Sequence, residues 1–124
     1  MNYFSLKEQT CHCGCGLNKV YEHPGFLQKL NTMRELCGFP LVATCMTRCK
    51  KHNAEVGGAP NSAHPEGLAA DLKCYAMHTR YKMLEAALAA GFRRIEISAV
   101  HMHVDDDPTK EQEIIMLKLG KEIV

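Results

Sequence analysis

Apolar residues recur along this chain at two spacings, and glycine or proline marks the points where the spacing changes. Pro24 is suited to the first turn of a helix, where its missing N–H costs no hydrogen bond. The apolar residues that follow it keep a helical spacing as far as Cys37, and Gly38 is a typical stop signal. A second helix is predicted over residues 79–90, with Gly91 at its end.

Shorter apolar runs predict four strands. They cover residues 41–47, 68–75, 94–99 and 101–105. Within the third run, Ile95 and Ile97 alternate with polar neighbours, which indicates a strand with one buried face. The fourth run alternates in the same way, so we expect it to pair with the third.

The remaining segments lack this periodicity. Residues 1–16 are rich in Cys and Gly and are expected to be irregular. Residues 50–67 contain five glycine or proline breakers and are expected to form one long loop. Residues 106–124 begin with acidic side chains and are predicted to become helical. Because no repeat or linker interrupts the pattern, residues 1–124 are predicted to form a single α+β domain.

Composition narrows the class of function. The chain has 124 residues, of which 46% are hydrophobic and 23% charged, as in ordinary globular domains. A net charge of +1 and the absence of Trp argue against a nucleic-acid binder. The apolar stretches are far too short to span a membrane. The first ten residues lack the basic and apolar regions of a secretory signal peptide, so we expect synthesis in the cytoplasm.

Seven histidines and seven cysteines are more than the packing of this chain requires. Cys37 and Cys74 are interpreted as small apolar residues. Cys11, Cys13 and Cys15 differ, because three thiols lie within five residues beside two glycines. The odd number of cysteines means that disulfides within one chain could not use every thiol.

Two short segments carry the side chains best suited to chemistry. Residues 62–71 contain His64 and Asp71, and residues 101–105 contain His101 and His103. A catalytic zinc ion typically takes three protein ligands from His and carboxylate side chains and leaves one position for water. A His-x-His pair alone most often marks an ordinary surface strand, but the two segments together favour a metal site. We therefore predict His64, Asp71 and His103 as ligands of one zinc ion.

The pattern Ser-x-His-x2-Gly-x-Ala-x-Asp is followed about thirty residues later by His-x-His-x-Asp. It resembles the zinc D-alanyl-D-alanine carboxypeptidase family, and is most similar to its small branch of phage and bacterial peptidoglycan endopeptidases. The resemblance covers residues 3–105 and includes the segments 3–8, 13–16, 44–49 and 52–58. It implies a hedgehog/DD-peptidase-like fold with a mainly antiparallel sheet packed against helices. It also implies one catalytic zinc ion, peptidoglycan peptides as partners, and a monomer.

The resemblance also assigns roles at matching positions. Arg48 stands where a guanidinium is expected to bind a carboxylate or carbonyl of the substrate, which suits its planar fork of donors. Ser62 stands where a hydroxyl bonds the substrate or orients the loop. Asp105 is expected to hold a ligand His in one tautomer. The implied reaction is hydrolysis of a peptide bond by metal-activated water.

The identity of the general base is open at this stage. Relatives in the wider family place Glu three residues before the last ligand, where this chain has Val100. His101 is the favoured base and Glu96 the second choice. The alternative function is a zinc-stabilised binding module without hydrolysis, which Val100 and the acidic pair Asp106 and Asp107 favour.

The remaining cysteines allow two interpretations. The Cys-x-Cys spacing of Cys11, Cys13 and Cys15 differs from that of common zinc sites, so a second, structural metal is a weak prediction. A disulfide from one of them to Cys45 or Cys49 would instead pin the N-terminal arm. A protein freed by phage lysis or carried in a virion would meet the oxidising exterior that disulfides need, whereas an enzyme recycling wall peptides would stay in the cytoplasm.

Overall fold

A computed structural model describes residues 2–118 of the chain. One five-stranded sheet runs in the order β1-β2-β4-β3-β5, and its strands are β1 Ala43–Cys45, β2 Ala69–Lys73, β3 Arg94–Ile97, β4 His101–Asp105 and β5 Ile114–Leu117. All neighbouring strands are antiparallel except β3 and β5, which are parallel. The α-helices of the described part are α1 Leu6–Gln9, α2 Pro24–Cys37, α3 Lys50–Glu55 and α4 Met77–Ala90. This architecture confirms the predicted α+β class and its mainly antiparallel sheet.

The two long helices follow the signals read from the sequence. Pro24 occupies the first turn of α2, and Gly38 ends it in the left-handed conformation at a φ of 76°. Gly91 ends α4 in the same way, at a φ of 102°. The two helices pack against each other, and Phe26 meets Phe92 edge to face with ring centroids 6.0 Å apart. No helix within residues 2–118 has the length and apolar character needed to cross a membrane.

Alternation along the strands divides their side chains between two faces of the sheet. One set is buried in the core that the sheet shares with α2 and α4, and it includes Leu72, Ile95, Met102 and Val104. Residues next to these along each strand point to the opposite face. The apolar face therefore packs against the helices, and the opposite face presents the polar side chains of the strands.

The prediction of one long loop over residues 50–67 is wrong at its start. Lys50–Glu55 forms α3, and the Cys49 sulfur caps it by accepting a hydrogen bond from the His52 N–H at 3.3 Å. The first breaker, Gly57, comes after these six residues, so nothing within them ends a helix. A single 3₁₀ turn, His64–Glu66, also interrupts the predicted loop.

The prediction of a helix after residue 106 is wrong for the part that is described. Ile114–Leu117 forms β5, which pairs with β3 from Arg94 to Ile97. This pairing satisfies backbone groups of β3 that would otherwise form an open sheet edge. Residues 119–124 of the predicted helix lie outside the described part of the chain.

Residues 1–16, expected to be irregular, contain the short helix α1. Ser5 and Glu8 form a capping box, in which the Glu8 N–H donates to Ser5 Oγ at 3.1 Å and the Ser5 N–H donates to Glu8 Oε1 at 3.0 Å. The Ser-x-x-Glu spacing that forms it is visible in the sequence. The start of this segment is therefore helical and not irregular, as its local sequence specifies.

Candidate active site

One row of residues crosses all five strands of the sheet. Strand pairing places Cys45 opposite Asp71, Asp71 opposite His103, His103 opposite Glu96, and Glu96 opposite Met116. Directly paired residues point to the same side of a sheet. The row therefore joins two predicted ligands and one candidate base from strands that are distant in the sequence.

A cleft of about 280 Å³ lies over this row. Its lining includes every residue that the sequence predicts for metal binding, catalysis or substrate binding, namely Arg48, Ser62, His64, Asp71, Glu96, His101, His103 and Asp105. Loop residues 58–59 and 61–63 supply part of one wall. The fold thus brings these residues to one place, and Cys45 lies beside them, whereas Cys11, Cys13, Cys15 and Cys49 lie together elsewhere.

The three predicted metal ligands meet at the Asp71 carboxylate. His64 Nε2 lies 3.2 Å from Asp71 Oδ2, and His103 Nδ1 lies 2.8 Å from Asp71 Oδ1. The two imidazole rings are edge to face, with centroids 5.4 Å apart. Two imidazole nitrogens and one carboxylate are a donor set typical of zinc.

The outer nitrogen of each imidazole has an oxygen partner. His64 Nδ1 lies 2.7 Å from the Met46 carbonyl oxygen, and His103 Nε2 lies 2.8 Å from Asp105 Oδ2. An N–H donated outward on each ring leaves the inner nitrogen to bind a metal ion through its lone pair. By donor chemistry His64, Asp71 and His103 therefore fit a zinc ion, whereas the ligand atoms that already lie within 4.8 Å of one another belong to Cys45, His64 and Asp71.

Asp105 is itself held in a buried ion pair. Its Oδ1 accepts a hydrogen bond from Arg94 Nε at 2.8 Å and another from the Asp107 N–H at 3.1 Å. Asp105 is 2% exposed and Arg94 is 6% exposed. Arg94 was not predicted as a site residue, although it lies two residues before Glu96 on β3 and hence on the same face. A chain of contacts from Arg94 through Asp105 thus orients His103.

The pKa values of the ligands follow from these contacts. Burial by itself lowers the pKa of His64, but hydrogen bonds and charge at Asp71 and Cys45 outweigh it and raise the pKa to about 10. Burial also lowers the pKa of His103, but its hydrogen bonds to Asp105 and Asp71 outweigh this effect, so the pKa of His103 is raised. Burial would raise the pKa of Asp71, but the two imidazoles hold it well below its usual range. Protons and a metal ion would therefore compete for the same nitrogens.

Arg48 is fixed in the wall of the cleft. It is 4% exposed, and its Nη1 donates to Asn53 Oδ1 at 2.9 Å while its Nη2 contacts Cys45 Sγ at 3.2 Å. Nη2 also lies 3.8 Å from Asp71 Oδ2. A Cβ atom at Gly58 would fall 2.1 Å from Asn53 Oδ1, so the close approach of this loop requires glycine. Asn53 was not predicted, and its only signal was its place within residues 52–58.

Cys45 and Cys49, the two partners considered for the N-terminal cysteines, lie in different surroundings. Cys45 Sγ lies 3.5 Å from His64 Nδ1, and Cys45, His64 and Asp71 form one group of potential ligands within 4.8 Å of one another. Cys49, by contrast, lies beside the N-terminal cysteines, with its sulfur 3.7 Å from Cys13 Sγ. Of the two partners considered for the N-terminal thiols, the structure therefore brings Cys49 to them.

Ser62 and the two candidate bases lie at different parts of the cleft. Ser62 Oγ accepts a hydrogen bond from the His64 N–H at 3.2 Å, which orients the loop that carries this ligand. His101 lies two residues before His103 on β4, so both face the cleft. Glu96 lies across from His103 on β3. Both bases considered from the sequence therefore line the cleft that contains the ligands.

Comparison with known families agrees with the resemblance read from the sequence. Residues 2–105 match the family model described as Peptidase M15. No curated protein matches the chain. The matched span contains the three predicted ligands, Arg48 and both candidate bases, and it ends at Asp105.

Proposed function

Because the chain belongs to the Peptidase M15 family of zinc-dependent metallopeptidases, we propose that it hydrolyses a peptide bond in the stem or cross-link peptides of peptidoglycan. One observation carries the proposal: the imidazoles of His64 and His103 and the carboxylate of Asp71 converge in one cleft with the Arg48 guanidinium. The first three supply a zinc-binding donor set, and the last supplies a cation for the substrate.

His64, Asp71 and His103 would hold the zinc ion. When bound, zinc lowers the pKa of water to about 7 and polarises a carbonyl group as a Lewis acid. The protein itself fixes the orientation of the ligand side chains. The Met46 carbonyl and the Asp105 carboxylate keep both imidazoles in one tautomer and one orientation.

Arg48 is proposed to bind and orient the substrate. Its guanidinium contacts Asn53 and Cys45 and also lines the cleft, where a peptide carbonyl or carboxylate would meet it. Arg94, Lys110 and Lys118 are the other cations of the lining, which also carries the carboxylates of Asp71, Glu96 and Asp105. Peptidoglycan stem peptides carry free carboxylates, which the planar guanidinium of Arg48 is suited to bind.

His101 is proposed to move the proton. It faces the cleft from the same strand as His103, where it can accept a proton from the attacking water and donate it to the leaving amine. Glu96, across the sheet from His103, is the second candidate for this role. The pair offers one imidazole and one carboxylate for a single proton-transfer step.

Digestion of purified peptidoglycan and of defined stem peptides tests the proposal. Mass spectrometry is expected to show new amine-bearing fragments with the zinc-loaded protein, their loss with a chelator, and their return with added zinc. Peptides with free and amidated C-termini separate a carboxypeptidase from an endopeptidase, because only a carboxypeptidase requires the terminal carboxylate.

Matched histidine variants complete this test. His103→Ala is expected to abolish release, whereas His78→Ala, at an exposed position on α4, is expected to leave it unchanged. If the folded, zinc-loaded protein releases nothing from any wall type, the peptidase proposal is wrong and the zinc-stabilised binding module is favoured.

A further inference from the structure

Outside the cleft, the described residues contain a second cluster of metal-ligating groups. The sulfur atoms of Cys11, Cys13, Cys15 and Cys49 all lie within 4.8 Å of one another. Three of these cysteines share one short segment, and the fourth comes from the segment that precedes α3. The cluster is thus a meeting point of two parts of the chain that are distant in sequence.

The distances between the sulfur atoms match a tetrahedral metal site. Cys11 Sγ lies 3.5 Å from Cys13 Sγ, and Cys13 Sγ lies 3.7 Å from Cys49 Sγ. Four sulfurs placed about 2.3 Å from a zinc ion lie about 3.8 Å from one another. The sulfurs of a disulfide, by contrast, are about 2.05 Å apart. The distances in the cluster are therefore those of four sulfurs around a zinc ion and not those of a disulfide.

Backbone N–H groups point at three of the four sulfurs. The Cys49 N–H donates to Cys11 Sγ at 3.3 Å, the His52 N–H donates to Cys49 Sγ at 3.3 Å, and the Leu17 N–H donates to Cys15 Sγ at 3.5 Å. Such donors stabilise negative charge on sulfur, which a thiolate ligand requires. The backbone N–H groups therefore stabilise the thiolate form of these cysteines, and the distances between the sulfurs suit a metal ion.

Glycine allows the short segment to wrap around one point. Gly14 and Gly16 have φ values of 91° and 81°, in the left-handed region that other residues avoid. Gly14 lies between Cys13 and Cys15, and Gly16 directly follows Cys15. These two glycines explain how a Cys-x-Cys spacing, which is unusual for zinc, can still direct three sulfurs to one place.

We propose that Cys11, Cys13, Cys15 and Cys49 bind a structural zinc ion, separate from the ion in the cleft. On binding, the four thiols release their protons to solvent, and no group is oxidised or reduced. All four positions are filled by protein ligands, which is typical of a structural rather than a catalytic zinc. This role replaces the disulfide considered from the sequence.

The proposed ion would fasten the N-terminal segment to the wall of the cleft. Cys49 directly follows Arg48 and caps α3, the helix that carries Asn53, the hydrogen-bond partner of Arg48. The Thr47 N–H also donates to the Gln9 carbonyl at 3.1 Å, so backbone contacts already join the two segments. A metal ion at this point would hold the position of Arg48.

Metal content and cobalt absorption test the proposal directly. The purified wild-type protein is expected to bind two zinc ions per chain, and the Cys13→Ser/Cys15→Ser double variant one. Cys37→Ser, which changes a half-buried cysteine outside the cluster, is expected to keep two. With cobalt in place of zinc, the wild type is expected to show the intense charge-transfer absorption of thiolate–cobalt bonds, and the double variant to lose it.

Two further variants separate this site from the cleft. His103→Ala is expected to lose one metal ion and keep the thiolate–cobalt absorption, because its change lies in the cleft alone. Cys45→Ser is expected to keep the absorption as well, because Cys45 is outside the cluster. Both variants are expected to keep the thiolate–cobalt absorption even if the protein has no peptidase activity. The experiment therefore distinguishes a failure of the structural zinc site from a failure of the peptidase proposal.

Thiol reactivity gives a test in the wild-type protein, which avoids variants that do not fold. With zinc bound, alkylation followed by peptide mass spectrometry is expected to find the four cluster thiols protected, and a chelator is expected to expose them. The proposal is overturned if the wild type lacks thiolate–cobalt absorption. It is also overturned if the protein binds one zinc ion while the cluster cysteines are recovered as disulfides.

Discussion

His103 lies between two carboxylates that use its two nitrogens differently. Asp71 meets Nδ1, the nitrogen proposed to bind zinc, and Asp105 meets Nε2 on the far side of the ring, each at 2.8 Å. The Asp105 carboxylate is in turn paired with the buried Arg94. At the scale of single residues, the proposed ligand therefore depends on a carboxylate that does not touch the metal.

Asp105→Asn is expected to lower zinc affinity in the cleft by about 10- to 100-fold, because the amide holds the imidazole less firmly in its tautomer. Competition with a chromophoric chelator measures the affinity. Asp106→Asn is the matched control, since Asp106 pairs instead with the partly exposed Lys29 at 3.0 Å. Equal affinities in the two variants would show that Asp105 has no part in metal binding.

His101→Ala is expected to retain zinc and to lose about 10²- to 10⁴-fold in kcat/KM, the usual contribution of a general base. Zinc content and the rate of amine release are measured together, with His78→Ala as the control. Glu96→Gln is expected to have the smaller effect. If Glu96→Gln instead loses the activity and His101→Ala keeps it, Glu96 is the base.

At the scale of elements, α3 and the loop after it set the position of Arg48. Asn53, which is buried, spans from Arg48 Nη1 to the Ala59 carbonyl oxygen, with both hydrogen bonds at 2.9 Å. The Gly58 N–H also donates to the Asn53 carbonyl at 2.8 Å. Hydrogen bonds therefore connect the helix, the loop and the guanidinium, so a change in the loop is expected to affect the cleft.

Gly58→Ala is expected to raise KM and to lower kcat/KM at least tenfold while zinc is retained. The added Cβ would lie 2.1 Å from Asn53 Oδ1 and 2.8 Å from Arg48 Nη1, so both side chains must shift. Gly25→Ala is the control, because no atom lies within 4 Å of its added Cβ. Steady-state kinetics on a defined stem peptide compare the two, and an unchanged KM in Gly58→Ala would argue against a substrate role for Arg48.

At the scale of the whole molecule, the cleft couples proton binding to stability. The folded state raises the pKa of His64 from its usual 6.5 to about 10, so His64 stabilises the metal-free fold fully below pH 6.5 and loses this contribution as pH rises toward 10. The folded state lowers the pKa of Asp71 from its usual 3.8, so its contribution is present above that pH and is lost in acid. The two together favour a mildly acidic optimum.

Thermal unfolding across pH tests this coupling. With a chelator present, Tm is expected to fall as pH rises from 6.5 toward 10, the range between the pKa of His64 in the unfolded chain and its pKa in the folded protein. With zinc in excess, the alkaline fall is expected to be smaller, because the metal ion then holds the nitrogens, and Tm is higher throughout. Identical profiles with and without zinc would contradict the coupling.

Features that depend on neighbours in the chain were predictable from the sequence. Pro24 and Gly38 mark the two ends of α2, and Gly91 marks the end of α4, which begins two residues before the predicted residue 79. His101 and His103 alternate with the buried Met102 on a strand. The α+β class followed from these patterns, and the family followed from the resemblance of the two histidine motifs, and both predictions are confirmed. The Ser5–Glu8 capping box was equally local, and it was missed because the cysteines and glycines around it indicated irregular structure.

Features that depend on pairing between distant segments required the tertiary structure. The register of five strands, set by contacts across the sheet, decides that Cys45, Asp71, His103 and Glu96 form one row. The same holds for β5, which was predicted as helix. It forms a strand because it pairs with the open edge of β3, and that contact is not visible in its own sequence. The same is true of Cys49, which joins three cysteines more than 30 residues away. Local residue types thus indicate which groups can bind a metal ion, but only the folded chain decides which of them meet.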